Sequence, residues 1–234
     1  MKRATCLIAV LFLSILLPGI ARADCDGPPV PKVTVRIDRP PVREDRSMGL
    51  TALNAIPSDS RRAGMEEYKD TLGIADAELS DSAVHIDLIT TDAGNGVYCT
   101  RMRSAEASMS WTTTVFIAAE IKPGSCLDKA TSEHEQGHVR IDEKLIPIAR
   151  RAVEVALTAV GERGVTGGSV KESQSALEQQ ATAAVKEALA IFTVVRKRQQ
   201  LAHDSKEEYD RLSNACGILE YVRLLRDAHK KAGV

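Results

Sequence analysis

Long basic blocks are lacking: 31 Lys and Arg are spread against 32 Asp and Glu, for a formal net charge of −1, and no basic run exceeds three residues. Nucleic acid and acidic membrane surfaces are held by concentrated positive charge, so neither is expected as a partner. Beyond the N-terminus no stretch approaches the ~20 apolar residues that a membrane-spanning helix needs. No internal repeat is evident. Cysteines never come in close pairs: Cys25, Cys99, Cys126 and Cys216 are too scattered for a thiolate zinc site.

The one long apolar run is at the start, MKRATCLIAVLFLSILLPGIARADC. Two basic residues precede it, Pro18-Gly19 breaks it, and Ala21-Arg22-Ala23 supplies an A-x-A cleavage site. This reads as a secretory signal peptide over residues 1–23, cut after Ala23, and the run is too short for a membrane anchor. Acidic Asp24 before Cys25 argues against a lipoprotein. The expected location is periplasmic or secreted. In such an oxidising compartment the four cysteines left after cleavage read as two disulfides of unspecified connectivity.

Periodicity divides the rest near residue 120. Before it, PKVTVRID, AVHIDLIT, VYCTRMRS and WTTTVFIAAEI alternate apolar and polar residues, with DAGNG as a turn. His85 falls on the polar face and reads as a solvated side chain. After KPGSC, apolar residues recur at threes and fours through Leu127, His134, His138, Ile141, Leu145 and on to Ala159. GERGVTGG reads as a flexible turn, and Ser169 with Glu172 as a capping box for a second helix. A third helix is expected from about Ser205 to Lys230. The expected fold is α+β: a small N-terminal antiparallel sheet over residues 24–120, then an antiparallel three-helix part over 121–234, together one compact domain.

The first of those helices carries SEHEQGHVRIDEK. In H-E-x-x-H, His134 and His138 stand one helical turn apart and can share a metal ion, and Glu135 can act as proton acceptor. With 5 His in the chain, chance would give such a motif in about one comparable sequence in a hundred. Both histidines fall in the apolar stripe, so they face inward and need a hydrogen bond or a metal. Asp142 lies ~6 Å further along the helix, too far to complete the set in a straight helix, and reads as a surface residue or a partner of a ligand. A third ligand is sought in HDSKEEY, where the chain reverses after the second helix. Glu208 is assigned there, with Asp204 and His203 as alternatives; Ser205 with Glu208, or Asp204 with Glu207, also reads as a capping box.

The order VYCTRM, TVFIAAEIKPGSC, EHEQGH, HDSKEEYDRLSNAC resembles a family of bacterial exported proteins of unknown function that carry the label secreted zinc-dependent protease. The resemblance covers roughly Val97 to Cys216. It implies His134 and His138 as zinc ligands and Glu135 as catalytic base. It departs after the second helix, where family members carry a histidine and this chain reads KEEYD. The expected activity is that of an HExxH zinc metallohydrolase acting on a peptide or protein substrate in the cell envelope. Tyr209 would stabilise the developing oxyanion, and WTTTVFIAAE would offer a sheet edge for the substrate. The alternatives are a non-catalytic envelope protein with a structural metal site, and a helical interaction protein with no metal.

Overall fold

The computed structural model describes residues 25, 30–56 and 71–232. The signal-peptide expectation, residues 1–23, lies outside them. The elements are β1 (Lys32–Asp38), β2 (Arg43–Asp45), α1 (Leu50–Ala55), β3 (Gly73–Gly94), β4 (Val97–Ile117), α2 (Cys126–Arg163), β5 (Val165–Gly167), α3 (Val170–His203), α4 (Lys206–Ala215) and α5 (Ile218–Ala232). Among the described residues no helix is long and apolar enough to cross a membrane.

The organising element is β4, a 21-residue strand. On one side it pairs along its length with the 22-residue β3, antiparallel, through a turn in which Gly94, Asn95 and Gly96 all take positive φ. Glycine and asparagine tolerate that conformation, which two-residue hairpin turns require. Its other side pairs in sequence with β5 (antiparallel, at Tyr98–Thr100), β1 (parallel, at Ser104–Ser110) and β2 (parallel, at Thr114–Phe116).

This corrects the expected small antiparallel sheet followed by three helices. Among the described residues the sheet is mixed and five-stranded, β1 and β2 run parallel to β4, and five helices accompany it. Three physical reasons account for the difference. Period-two patterning reports which face a residue occupies but not which way a strand runs. The stretch between VYCTRM and WTTTVF holds no Gly or Pro to end a strand, so two expected strands are one. And GERGVTGG is no free turn: Gly164, at φ 60°, redirects the chain so that Val165–Gly167 adds to the sheet. The third expected helix is also broken, at Cys216-Gly217, where Gly217 has φ 74°.

One face of the sheet is buried. From Ala105 to Ile117 every second residue of β4 is inward, and Ala105 and Ala107 are small enough for long helices to lie close above them. Met102, Ala107 and Met109 pack against Val153, Leu157 and Val160 of α2 and Leu177, Ala181 and Val185 of α3. A second cluster joins Leu53, Val115, Ile117, Leu127 and Val139 to Ala228 of α5. Ser125 caps α2 by accepting from the Asp128 N–H, while Asp128 accepts from the Gly124 N–H, which satisfies two backbone donors at the helix start. Two disulfides complete the frame, Cys25–Cys99 and Cys126–Cys216; the second ties the start of α2 to the end of α4.

Candidate metal centre

The hairpin of α2 and α3 sets the site. Two polar stripes meet across it: His134, His138 and Asp142 on α2, and Arg196, Gln200 and Asp204 on α3 and its cap, each set at spacings of four. Pairing runs Asp142 to Arg196, His138 to Gln200, and His134 to Asp204. The hairpin therefore centres near Gly168-Ser169, not near Val165, because β5 takes up the residues that were expected to turn. The shift brings the α3 terminus level with His134, a placement the expected register does not give.

His134 Nε2 and His138 Nε2 lie 3.3 Å apart. Asp204 Oδ1 is 2.9 Å from His138 Nε2 and 3.3 Å from His134 Nε2. It is buried, with both ring nitrogens as its close neighbours. The other nitrogen of each ring is engaged by an acceptor: His134 Nδ1 by Glu208 Oε1 at 3.2 Å, His138 Nδ1 by Gln200 Oε1 at 2.5 Å. With Nδ1 donating in both rings, each imidazole in its neutral form turns an Nε2 lone pair towards the same carboxylate oxygen. Three such atoms facing one another are held by a positive charge among them, a ring proton or a metal ion. Their spacings are close to the ~3.3 Å edges of a tetrahedral donor set around zinc.

His203 packs on this group. Its ring stacks on that of His134, with centroids 4.8 Å apart and planes 14° from parallel, and its Nε2 donates to the His134 carbonyl oxygen at 3.1 Å. His134, His138 and His203 together form a group that could hold a metal ion. This approach depends on Gly137, the second x of the motif, since a Cβ there would run into the His203 ring.

Glu135 faces the sheet. It is 3% exposed; the Ala75 N–H donates to its carboxylate, and its Oε2 has no hydrogen-bond partner. Gly73 makes room for it, because a Cβ at Gly73 would come within 2.9 Å of Glu135 Cγ and Oε1. Glu208 forms a two-pronged ion pair with Arg211, at 2.8 and 2.7 Å, besides its contact with His134 Nδ1. Its backbone N–H bonds Ser205 Oγ, so the Ser205 cap coexists with the side chain's other role. The Tyr209 ring centroid lies 5.8 Å from that of His134. Cys126, at the other end of this packing, holds α4 against α2 through Cys216.

Electrostatics follow from burial and this one carboxylate. Burial opposes charge on both rings, but Asp204 and Glu135 outweigh it: His134 is raised above its ordinary value and His138 is raised to about 9. Burial would raise Asp204, yet the two imidazoles hold it far below the usual carboxylate range. Glu135 is raised, chiefly by burial. Arg211 first, and His134 after it, lower Glu208 to about 2. Burial and then the charges of Asp204 and Glu135 raise Tyr209, so it stays a phenol. His203 is lowered by burial.

The structure thus brings His134, His138, Glu135, Asp204, His203, Glu208 and Tyr209 into one cluster. His85 stands exposed on β3, away from it. Glu208 sits on the ring nitrogen of His134 opposite to the Nε2 pair, where it orients the ring, whereas Asp204 occupies the place expected of Glu208. WTTTVFIAAE, expected to offer an edge, is interior instead: β3 covers Trp111–Ile117 on one side and β2 covers Thr114–Phe116 on the other. Sequence reasoning missed Gln200, Gly137 and Gly73. For Gln200 a signal existed, the spacing of four that links it to Arg196 and Asp204.

No protein-family model, curated protein or solved structure matches this chain.

Proposed function

We propose that this chain is an exported zinc-dependent metallohydrolase, most simply a peptidase acting in the cell envelope, with residues 1–23 as its signal peptide. The observation that carries the reading is the convergence of His134 Nε2, His138 Nε2 and Asp204 Oδ1 within 3.3 Å of one another, beside a buried glutamate. His134, His138 and Asp204 would hold the ion, with Asp204 as third ligand in place of Glu208. A zinc ion bound there supplies a Lewis acid that polarises a carbonyl and acidifies water.

The chain's own residues supply the rest. Glu208 and Gln200 keep the proton of each ligand ring on Nδ1. Burial makes Glu135 a stronger base than an exposed carboxylate, suited to accept a proton from the attacking water and pass it to the leaving amine. Tyr209, kept protonated, donates a hydrogen bond on the His134 side, where charge develops on the carbonyl oxygen. The resemblance to exported zinc-dependent proteases points the same way, as do the two disulfides, which suit an oxidising compartment.

One observation favours a second reading, a closed structural metal site. The ligand candidates are only 5% (His134), 9% (His138) and 3% (Asp204) exposed, and His203 offers a fourth donor. The two readings separate on Glu135→Gln. In the hydrolase that change leaves zinc content at the parental level and lowers cleavage of a peptide library by ~100- to 10,000-fold. Undiminished, chelator-sensitive cleavage by the variant would eliminate the assigned role of Glu135. Equal zinc content in the parent and in His134→Ala would eliminate the metal site itself.

A further inference from the structure

Behind His138 runs a chain of three polar side chains whose donors and acceptors admit a single order. Arg196 donates from Nε and Nη2 to Asp142 Oδ1 and Oδ2 at 2.7 and 2.9 Å. Gln200 Nε2 donates to Asp142 Oδ1 at 2.7 Å and to the His138 carbonyl oxygen at 3.3 Å. Gln200 Oε1 accepts from His138 Nδ1. The start of the chain is anchored to the sheet: the Arg196 guanidinium lies over the Trp111 ring of β4, 5.3 Å from its centre. Asp142 is 2% exposed, so water does not compete for it.

A carboxamide can face either way, and in isolation Gln200 could offer His138 an oxygen or an NH2 group. The neighbours remove that choice. Guanidinium only donates, and it meets both oxygens of Asp142, so both of them accept. Asp142 must then be met by the NH2 end of Gln200, which turns the carbonyl end to His138. A carbonyl can only accept, so the neutral His138 ring carries its proton on Nδ1 and presents its lone pair at Nε2, the atom that faces Asp204 and His134. We infer that Arg196, Asp142 and Gln200 are positioning residues that fix the ligating tautomer of His138, transmitting donor polarity from the sheet to the metal site. This rests on the metal reading proposed above. In it, Asp142 sets the direction of the Gln200 amide.

The test uses the full-length exported protein and zinc as the probe, with affinity read by chelator competition. The series is parent, His134→Ala, Gln200→Met, Gln200→Glu, and Gln200→Glu combined with Asp142→Asn. Methionine keeps the length and bulk of Gln200 but offers no comparable acceptor. Zinc affinity should fall ~10- to 100-fold, the usual effect of losing a partner of a ligand. Gln200→Glu alone sets two carboxylates against each other where amide and carboxylate now touch, and should also weaken binding. In the double variant the amide introduced at position 142 donates its N–H to the carboxylate introduced at position 200, whose other oxygen accepts from His138 Nδ1–H. Donor order is restored between positions 142 and 200, while Arg196 Nε and the His138 carbonyl oxygen each lose a partner, so affinity should rise well above that of Gln200→Glu alone without reaching the parent. A zinc-loaded sample should show the His138 Nδ1–H in long-range 1H–15N spectra of parent and double variant alike.

A packing role alone would not produce rescue by exchanging an amide and a carboxylate. Parental affinity in Gln200→Met, or a double variant no tighter than Gln200→Glu, would overturn the inference while His134→Ala still loses zinc. Equal affinity in parent and His134→Ala would instead overturn the metal reading and this inference with it.

Discussion

Gly137→Ala tests how the α3 terminus reaches the site. Gly137 lies inside α2, where replacing glycine with alanine ordinarily gains ~1 kcal/mol of helix stability. Here the new Cβ would run into the His203 ring. That ring cannot simply swing aside, because it is stacked on His134 and bonded to the His134 carbonyl oxygen. Overpacking of this kind costs about 1–3 kcal/mol, so the net change should be a loss of up to ~2 kcal/mol. The site should suffer more than the fold. Relief of the clash moves the end of α3 outward, and Asp204, the next residue, withdraws from both Nε2 atoms. Urea denaturation of the metal-free protein and chelator competition for zinc would read the two effects separately. Adding Gly137→Ala to His203→Ala removes the obstacle, and there the substitution should stabilise by the full propensity gain. A Gly137→Ala protein that is ~1 kcal/mol more stable and binds zinc like the parent would refute the close approach of α3 to α2.

Loss of the Cys126–Cys216 bridge, by Cys126→Ser with Cys216→Ser, opens a link of sequence separation 90 and should cost ~4–5 kcal/mol at most. Because α4 has no buried residue, the loss should concentrate there, as faster amide exchange over Lys206–Ala215 and weaker zinc retention; unchanged exchange in α4 would count against it. The metal-free protein should lose stability as pH rises from 6.5 towards 9. His138 has its folded pKa raised to about 9, so its contribution is complete below the unfolded value of 6.5 and disappears as pH passes through the folded one. A flat melting profile across that window would contradict the His138–Asp204 pairing. Asp204→Asn removes the charge but keeps the shape and should reduce zinc affinity far more than Glu208→Gln; the reverse order would return the third-ligand role to Glu208.

The chemistry at the motif was legible because it is local: His134, Glu135 and His138 are fixed relative to one another by the helical period alone. What lies opposite them depends on the hairpin register, and that was set by three residues, Val165–Gly167, that pair with β4 instead of turning freely. A hairpin centred on the GERGVTGG turn moves every facing residue by about two turns, placing Arg196 opposite His134 and carrying Asp204 past it, so that Glu208 on the returning chain looks the better ligand. The two stripes at spacings of four carried the correct register independently of the turn. Only one alignment places Arg196 on Asp142 and Gln200 on His138, and it also brings Asp204 to His134. Strand direction had no such signal: Val33, Val35 and Ile37 alternate identically whether β1 runs with β4 or against it.

Glu135 bears on the choice between the two readings of the metal site. A structural ion needs His134, His138 and two further donors, and holding it there does not call for a carboxylate that is 3% exposed with one oxygen lacking any partner. Leaving such a group unsatisfied costs about 1–3 kcal/mol or more, and Glu135 could be relieved of that cost by an apolar side chain against Gly73 and Thr131. Stability alone therefore favours Glu135→Leu or Glu135→Met, and both variants should unfold at higher urea concentration than the parent while keeping zinc. A hydrolase has a use for the same strained placement. Burial raises the basicity of Glu135 and its second oxygen is unclaimed, so the residue that destabilises the fold is the one able to hold the proton of an attacking water. If Glu135→Leu proves less stable than the parent with metal retained, the unpartnered oxygen is satisfied in solution and the burial of Glu135 no longer speaks for catalysis.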